Sequence, residues 1–120
     1  MANDILGSWG ESIAASYLQR KRYKILATNF RCRMGDIDII AENRQYLVFV
    51  EVKLRKSDRF AQAREFVDLR KQERIKTTAM LYLSRNETDK QPRFDVIEIY
   101  APLGMDSKRP EIIHLEDAFQ

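Results

Sequence analysis

A single cysteine, Cys32, stands in 120 residues. No disulfide can close within the chain, which fits a reducing compartment. Cys32 reads as a strand residue rather than a nucleophile. Histidine is equally scarce: His114 stands alone, so there is no Cys/His cluster of the kind that holds zinc. It lies far along the chain from the charged motif described below, and reads as structural. Glycine and proline are sparse, and several mark breaks: Gly35 before a hairpin, then Pro102, Gly104 and Pro110 in a late loop. No apolar run approaches the roughly 18 residues of a membrane span. The opening Met-Ala-Asn-Asp-Ile-Leu lacks the basic and apolar regions of a signal peptide. The expectation is a cytoplasmic protein with no membrane partner. Repeats and low-complexity segments are missing too. So is any helix-turn-helix or zinc-finger pattern, which argues against sequence-specific DNA reading.

What remains is a chain with 44% hydrophobic residues, long enough to bury the core of one domain spanning residues 1–120. The net charge of +3 permits a nucleic-acid partner without arguing for one. Its distribution says more. Arg20-Lys21-Arg22, Arg31, Arg33, Lys53, Arg55, Lys56 and Arg59 gather in the first half.

The most informative stretch runs from Gly35 to Lys53. Two β-branched runs flank the polar break Glu42–Gln45, the pattern of a β-hairpin. Alternation puts Asp36, Asp38 and Ile40 on one face and Ile37, Ile39 and Ala41 on the other. On the second strand Phe49, Glu51 and Lys53 oppose Val48, Val50 and Val52. A two-residue turn at Arg44–Gln45 pairs the apolar faces and sets Asp38 opposite Glu51. A slip of one residue would mix the faces. Directly opposed carboxylates repel, so something offsets the repulsion. A divalent cation such as Mg²⁺, which takes one or two carboxylates plus waters and phosphate oxygens, is one candidate. A solvated strand face balanced by Lys53 is the other.

Ile5 to about Arg22 reads as a helix capped by Asn3 or Asp4. Glu11 shares a face with Gly7, Ala14 and Leu18, so its carboxylate needs a cation, a hydrogen-bond donor or a metal. Tyr23–Cys32 reads as a first strand and Leu54–Arg64 as a basic loop beside Lys53. A helix follows from Glu65 or Phe66 to Arg85, with Ile75, Thr78, Ala79, Tyr82 and Leu83 inward and Lys71 and Gln72 extending that stripe. Phe94–Tyr100 and Glu111–Leu115 are final strands paired as a hairpin, the former returning parallel to a strand of the first hairpin.

Asp38…Glu51-Val52-Lys53 resembles the Asp…Glu-x-Lys motif of restriction-endonuclease-like nucleases. Gly7-x-x-Gly10-Glu11, Asn29-Phe30-Arg31, Gly35-Asp36-Ile37-Asp38-Ile39-Ile40-Ala41, Phe49-Val50-Glu51-Val52-Lys53-x-Arg55, Lys71 and Arg93-Phe94-Asp95-Val96 together resemble the YraN-like family of predicted endonucleases, akin to Holliday-junction resolvases. That family usually carries Glu where Asp36 stands. The resemblance implies an α/β restriction-endonuclease-like sandwich: a central mixed sheet flanked by helices, in the order α-β-β-β-α-β-β. It implies metal-dependent phosphodiester hydrolysis of structured or branched DNA in repair or recombination, with Mg²⁺ or Mn²⁺ as cofactor and a homodimer as one arrangement. Asp38, Glu51 and the Val52 carbonyl would hold the cation, and Glu11 would lie beside it. Lys53 would orient or deprotonate the attacking water, and Arg55, Lys56, Arg59 and Lys71 would meet phosphates. The alternative is a non-catalytic nucleic-acid-binding or DNA-processing accessory module on the same fold.

Overall fold

The computed structural model describes residues 2–56 and 67–120, with side chains from Ile5 onward. Helix α1 (Ala2–Arg20) leads into strands β1 (Lys24–Cys32), β2 (Gly35–Glu42) and β3 (Tyr46–Arg55). Helix α2 (Leu69–Arg85), β4 (Gln91–Tyr100) and β5 (Glu111–Phe119) follow, with a 3-10 turn at Gly104–Asp106. The five strands form one sheet in sequential order. Every neighbouring pair is antiparallel except β3 and β4, which are parallel. The α/β fold and the element order are those expected from the sequence, consistent with the restriction-endonuclease-like arrangement.

Apolar periodicity fixes which face each helix covers. Gly10, Ala14 and Leu18 recur every four residues along α1 and are buried. The last two pack with Ile39, Ala41, Val48, Val50, Ile97 and Ile99 on one side of the sheet. Gly7, expected on this stripe, is exposed. The helix closes in a Schellman motif. Tyr23 donates its N–H to the Leu18 carbonyl and Arg22 donates to Gln19, while Arg22 takes the left-handed turn at φ 70°. Tyr23 and Leu18 then meet in the same core.

On the other side, Ile75 and Ala79 of α2 pack against Ile37, Ile40, Leu47, Phe49 and Val96. Helix α2 opens at Leu69, because Asp68 caps it by accepting the Lys71 N–H at 2.8 Å. Val67 and Asp68 therefore precede the helix, and the expected start at Glu65 or Phe66 lies outside the described residues. Leu54 and Arg55, expected in a loop, continue β3, where they pair with Ile99 and Tyr100. The rest of that loop from residue 57, Arg59 included, lies outside the described residues.

The hairpin turn is the one expected. Asn43 accepts the N–H groups of Gln45 and Tyr46 on Oδ1, an Asx turn around Arg44–Gln45. Ile39 pairs with Val50 and Ala41 with Val48, also as expected. The grouping of Ile37 needs correction. It packs on the α2 side with Ile40, whereas Ile39 and Ala41 face α1. Asn29 lies in β1 between Thr28, which pairs with Ile39, and Phe30, which pairs with Ile37. It adopts φ 51°. A left-handed residue inside a strand interrupts the two-residue alternation, so Phe30 and Ile37 turn together to the α2 face. Asp38 sits at that break.

Candidate active site

The β2–β3 ladder runs from Glu42–Leu47 to Ile39–Val50. One step farther, the Val52 N–H donates to Asp38 Oδ2 at 2.8 Å. A side-chain carboxylate thus occupies the place where a β2 carbonyl would continue the ladder. Asp38 therefore lies in an opening between the strands, within reach of groups from both faces of the sheet.

Three carboxylates approach this opening. Glu51, on β3, is buried at 8% exposure and lies within hydrogen-bond reach of the Asp38 carboxyl. Burial, reinforced by the Asp38 charge, pushes the Glu51 carboxyl up to about 7 despite the nearby Lys71 and Lys53. Burial also raises Asp38, opposed by the Val52 N–H and Glu51. The two side chains titrate as a pair that holds protons more tightly than free carboxylates. Glu11 arrives from α1, where Asn29 Nδ2 donates to its Oε2 at 2.8 Å. Partial burial raises its carboxyl, Asn29 opposes the shift, and Asp38 adds to it. Sequence reasoning missed Asn29 as the residue that orients Glu11. Its place in the Asn29-Phe30-Arg31 motif was the signal available.

The cations come from the other side. Lys71 follows the Asp68 cap and precedes Ile75 by one helical turn, so it faces the sheet. Its Nζ lies 3.0 Å from Glu51 Oε1. Burial lowers the Lys71 ammonium's pKa, and Glu51 more than offsets this, so its net shift is upward. Lys53, two residues beyond Glu51, lines a cavity of about 380 Å³ with Val67, Gln72, Val96 and Glu98. Arg55 is held elsewhere, its Nε 2.9 Å from Glu98 Oε2. Lys56 is exposed and so is Asp36, which pairs with Arg31 across β1 and β2. The structure thus brings together Glu11, Asp38, Glu51 and Lys71, places Lys53 beside them, and turns Arg55 to a different partner. Val52 contributes its N–H to the site.

Among the described residues, no three His, Cys, Asp or Glu side chains are gathered so as to enclose a metal ion by themselves. The Asp38–Glu51 pair alone still fits a hydrated Mg²⁺, which is usually bound through one or two carboxylates and retains waters.

A family model described as uncharacterised protein family UPF0102 matches residues 10–99. The chain belongs to that family. The YraN-like resemblance carried by the motifs is borne out at this level. A UPF0102 protein from Geobacter metallireducens is 44% identical over 119 residues, covering 98% of this chain and 94% of its own length. Another, from Acetivibrio thermocellus, is 45% identical over 116 residues, covering 94% and 89%. A third, from Caldanaerobacter subterraneus, reaches 51% over 96 residues, 79% of each chain. The UPF0102 match spans Glu11, Asp38, Glu51, Lys53 and Lys71, so the whole candidate site lies inside the family region. Membership names no reaction. Among the described residues, no helix is long and apolar enough to cross a membrane.

Proposed function

We propose that this chain is a divalent-cation-dependent DNA nuclease, with Asp38 and Glu51 as the cation's carboxylate ligands. The observation that carries the reading is the Asp38–Glu51 pair: two largely buried carboxylates in hydrogen-bond reach of each other, both with raised pKa. Strongly perturbed carboxylates beside lysines in an opening of the fold are a recurrent mark of catalytic sites. A cation bound there would supply Lewis-acid charge to a phosphate oxygen and lower the pKa of a water. Lys53 would steady the phosphate and the attacking water. Glu11, oriented by Asn29, would accept a hydrogen bond from water on the α1 side. Lys56 and Lys71 remain as phosphate contacts, and Arg59 belongs to the same proposal. The absence of a sequence-reading motif favours structured or branched DNA over a particular sequence, and a ligand pair of carboxylates without Cys or His favours Mg²⁺ or Mn²⁺ over zinc.

A non-catalytic DNA-binding module is the second reading. It is favoured by one fact: each carboxylate already has a protein partner, Val52 for Asp38, Lys71 for Glu51 and Asn29 for Glu11. A cleavage panel of single-stranded, duplex, flap and four-way-junction DNA with Mg²⁺ or Mn²⁺ separates the two. The nuclease reading expects cleavage that chelator and Asp38→Ala both abolish. Lys53→Ala should lose cleavage while still binding metal. Cleavage retained by the Asp38 variant overturns the assignment; DNA binding with no cleavage of any substrate selects the module.

A further inference from the structure

We infer that Lys71 is a resident counter-ion which an incoming divalent cation displaces, and that the released ammonium becomes a phosphate contact, coupling cation binding to DNA binding. The inference rests on the cation site proposed above, and assigns Lys71 a role there that depends on what else is bound.

The geometry sets up a competition for one atom. Lys71 Nζ lies 3.0 Å from Glu51 Oε1. The Asp38 and Asp36 charges attract the same ammonium. A cation that takes Glu51 as a ligand must share or claim that carboxylate, and two cations side by side repel. The ammonium is the one able to leave. Its side chain is 43% exposed while that of Glu51 is 8% exposed, so the lysine stands at the mouth and the carboxylate inside. Lysine is a point charge on a flexible four-carbon stem. Its backbone, by contrast, is fixed by the Asp68 cap. The released ammonium therefore stays at the rim, where a phosphate drawn to the bound cation would pass. Its neighbours Leu69 and Arg70 are exposed.

Reciprocity follows. If the cation frees Lys71 for DNA, then DNA holding Lys71 strengthens cation binding by the same factor. A lysine that merely stabilised Glu51 would show no such coupling.

The test compares the wild-type protein with Lys71→Gln and Lys71→Arg. Mn²⁺ affinity is measured by calorimetry without DNA. Binding of a labelled four-way junction and a labelled single strand is measured by anisotropy, in chelator and in Ca²⁺. Lys71→Gln, with its competitor removed, should bind Mn²⁺ roughly twofold to fivefold tighter than wild type, the range expected for losing a half-exposed ion pair. Its gain in DNA affinity on adding Ca²⁺ should fall below half the wild-type gain. Lys71→Arg preserves the charge and can grip the carboxylate with its planar fork, so it should bind Mn²⁺ more weakly than wild type. That variant keeps the question answerable if the glutamine protein does not fold. Mn²⁺ binding by Lys71→Gln where wild type shows none also supports displacement. Equal Mn²⁺ affinity in wild type and a folded variant overturns the inference and leaves the cation site standing. An unchanged Ca²⁺ gain overturns the coupling. No Mn²⁺ binding by any of the three proteins removes the cation site, and the inference falls with it.

Discussion

Glu51 is the residue on which stability and chemistry conflict. Its carboxyl binds a proton more tightly in the fold than in the unfolded chain, with a value near 7 against an ordinary 4.5. The sign of the pH dependence follows. The fold's advantage from this group is complete below about pH 4.5 and drains away as pH rises through about 7. Glu51→Gln imitates the neutral acid at every pH. In chelated buffer it should therefore melt progressively higher than wild type between pH 5 and pH 8. The differential gain should be on the order of 2 kcal/mol, from the shift of the titration and its conversion at 1.36 kcal/mol per unit. Melting curves across that range check it; a constant offset at all pH values would contradict it. The variant gains stability by discarding a charge the proposed reaction needs, the usual bargain between stability and activity.

At the scale of elements, the break in β1 and β2 does more for the site than either strand's sequence pattern. Asn29 takes φ 51°, holds Glu11, and accompanies the turning of Ile37 away from the Ile39 face. Asn29→Val should cost about 1–3 kcal/mol, since a β-branched residue is strained at positive φ. Asn29→Gly should retain the fold and lose the hold on Glu11, and denaturant melts of the two variants make the comparison. This break also marks where the sequence stopped being readable. The polar tetrad Glu42–Gln45 and the flanking β-branched residues announced the hairpin, its two-residue turn and the Ile39–Val50 register. Alternation then carried the reading one step too far, to Ile37, because a left-handed asparagine leaves no trace in an apolar pattern. Asp38 and Glu51 could be brought together from register alone. The Lys71–Glu51 pair could not, since it depends on where α2 begins, and the Asp68 cap decides that. Arg55 read as a phosphate contact because its run is basic. The sequence placed β4 parallel to a strand of the first hairpin without saying which; that it is β3 is what sets Glu98 within reach of Arg55.

The whole molecule is pinned at a second polar cluster. Asp95 is fully buried on β4. It accepts from Arg93 Nε and Nη2 at 2.9 and 2.8 Å, and from the Asp117 N–H at 3.0 Å. His114 Nε2 lies 2.7 Å away, and since an ionised carboxylate can only accept, Nε2 is the donor; Nδ1 lies 3.1 Å from the Tyr17 hydroxyl. These contacts tie α1, β4 and β5 together, which is the structural role expected of His114. Burial alone would raise Asp95, but His114, Arg93 and the Asp117 N–H more than offset it and hold the carboxyl below its ordinary 3.8. Its contribution is therefore present above about pH 3.8 and lost as pH falls through the lower folded value. Asp95→Asn leaves the buried Arg93 guanidinium with only the more distant Glu116, at 4.0 Å, as counter-charge, and should cost about 3 kcal/mol near neutral pH. The gap from wild type should narrow in acid, as denaturation at several pH values would show.

The single parallel seam in the sheet also orders events in time. Cys32 meets Gly35 across a tight turn and Tyr100 meets Glu111 across the 101–110 connection, while β3 meets β4 through pairs such as Tyr46–Gln91, 45 residues apart (91 − 46). Closing that long loop costs chain entropy before any seam contact repays it. Folding should assemble the β1–β3 meander and the β4–β5 hairpin first and join them last. Pulse-labelled hydrogen exchange should then find amides within each unit protected before those bonded across β3 and β4. Glu51 and Lys53 lie on the late-closing strand, facing Val96 and Glu98. The candidate site would then be among the last parts of the chain to exist.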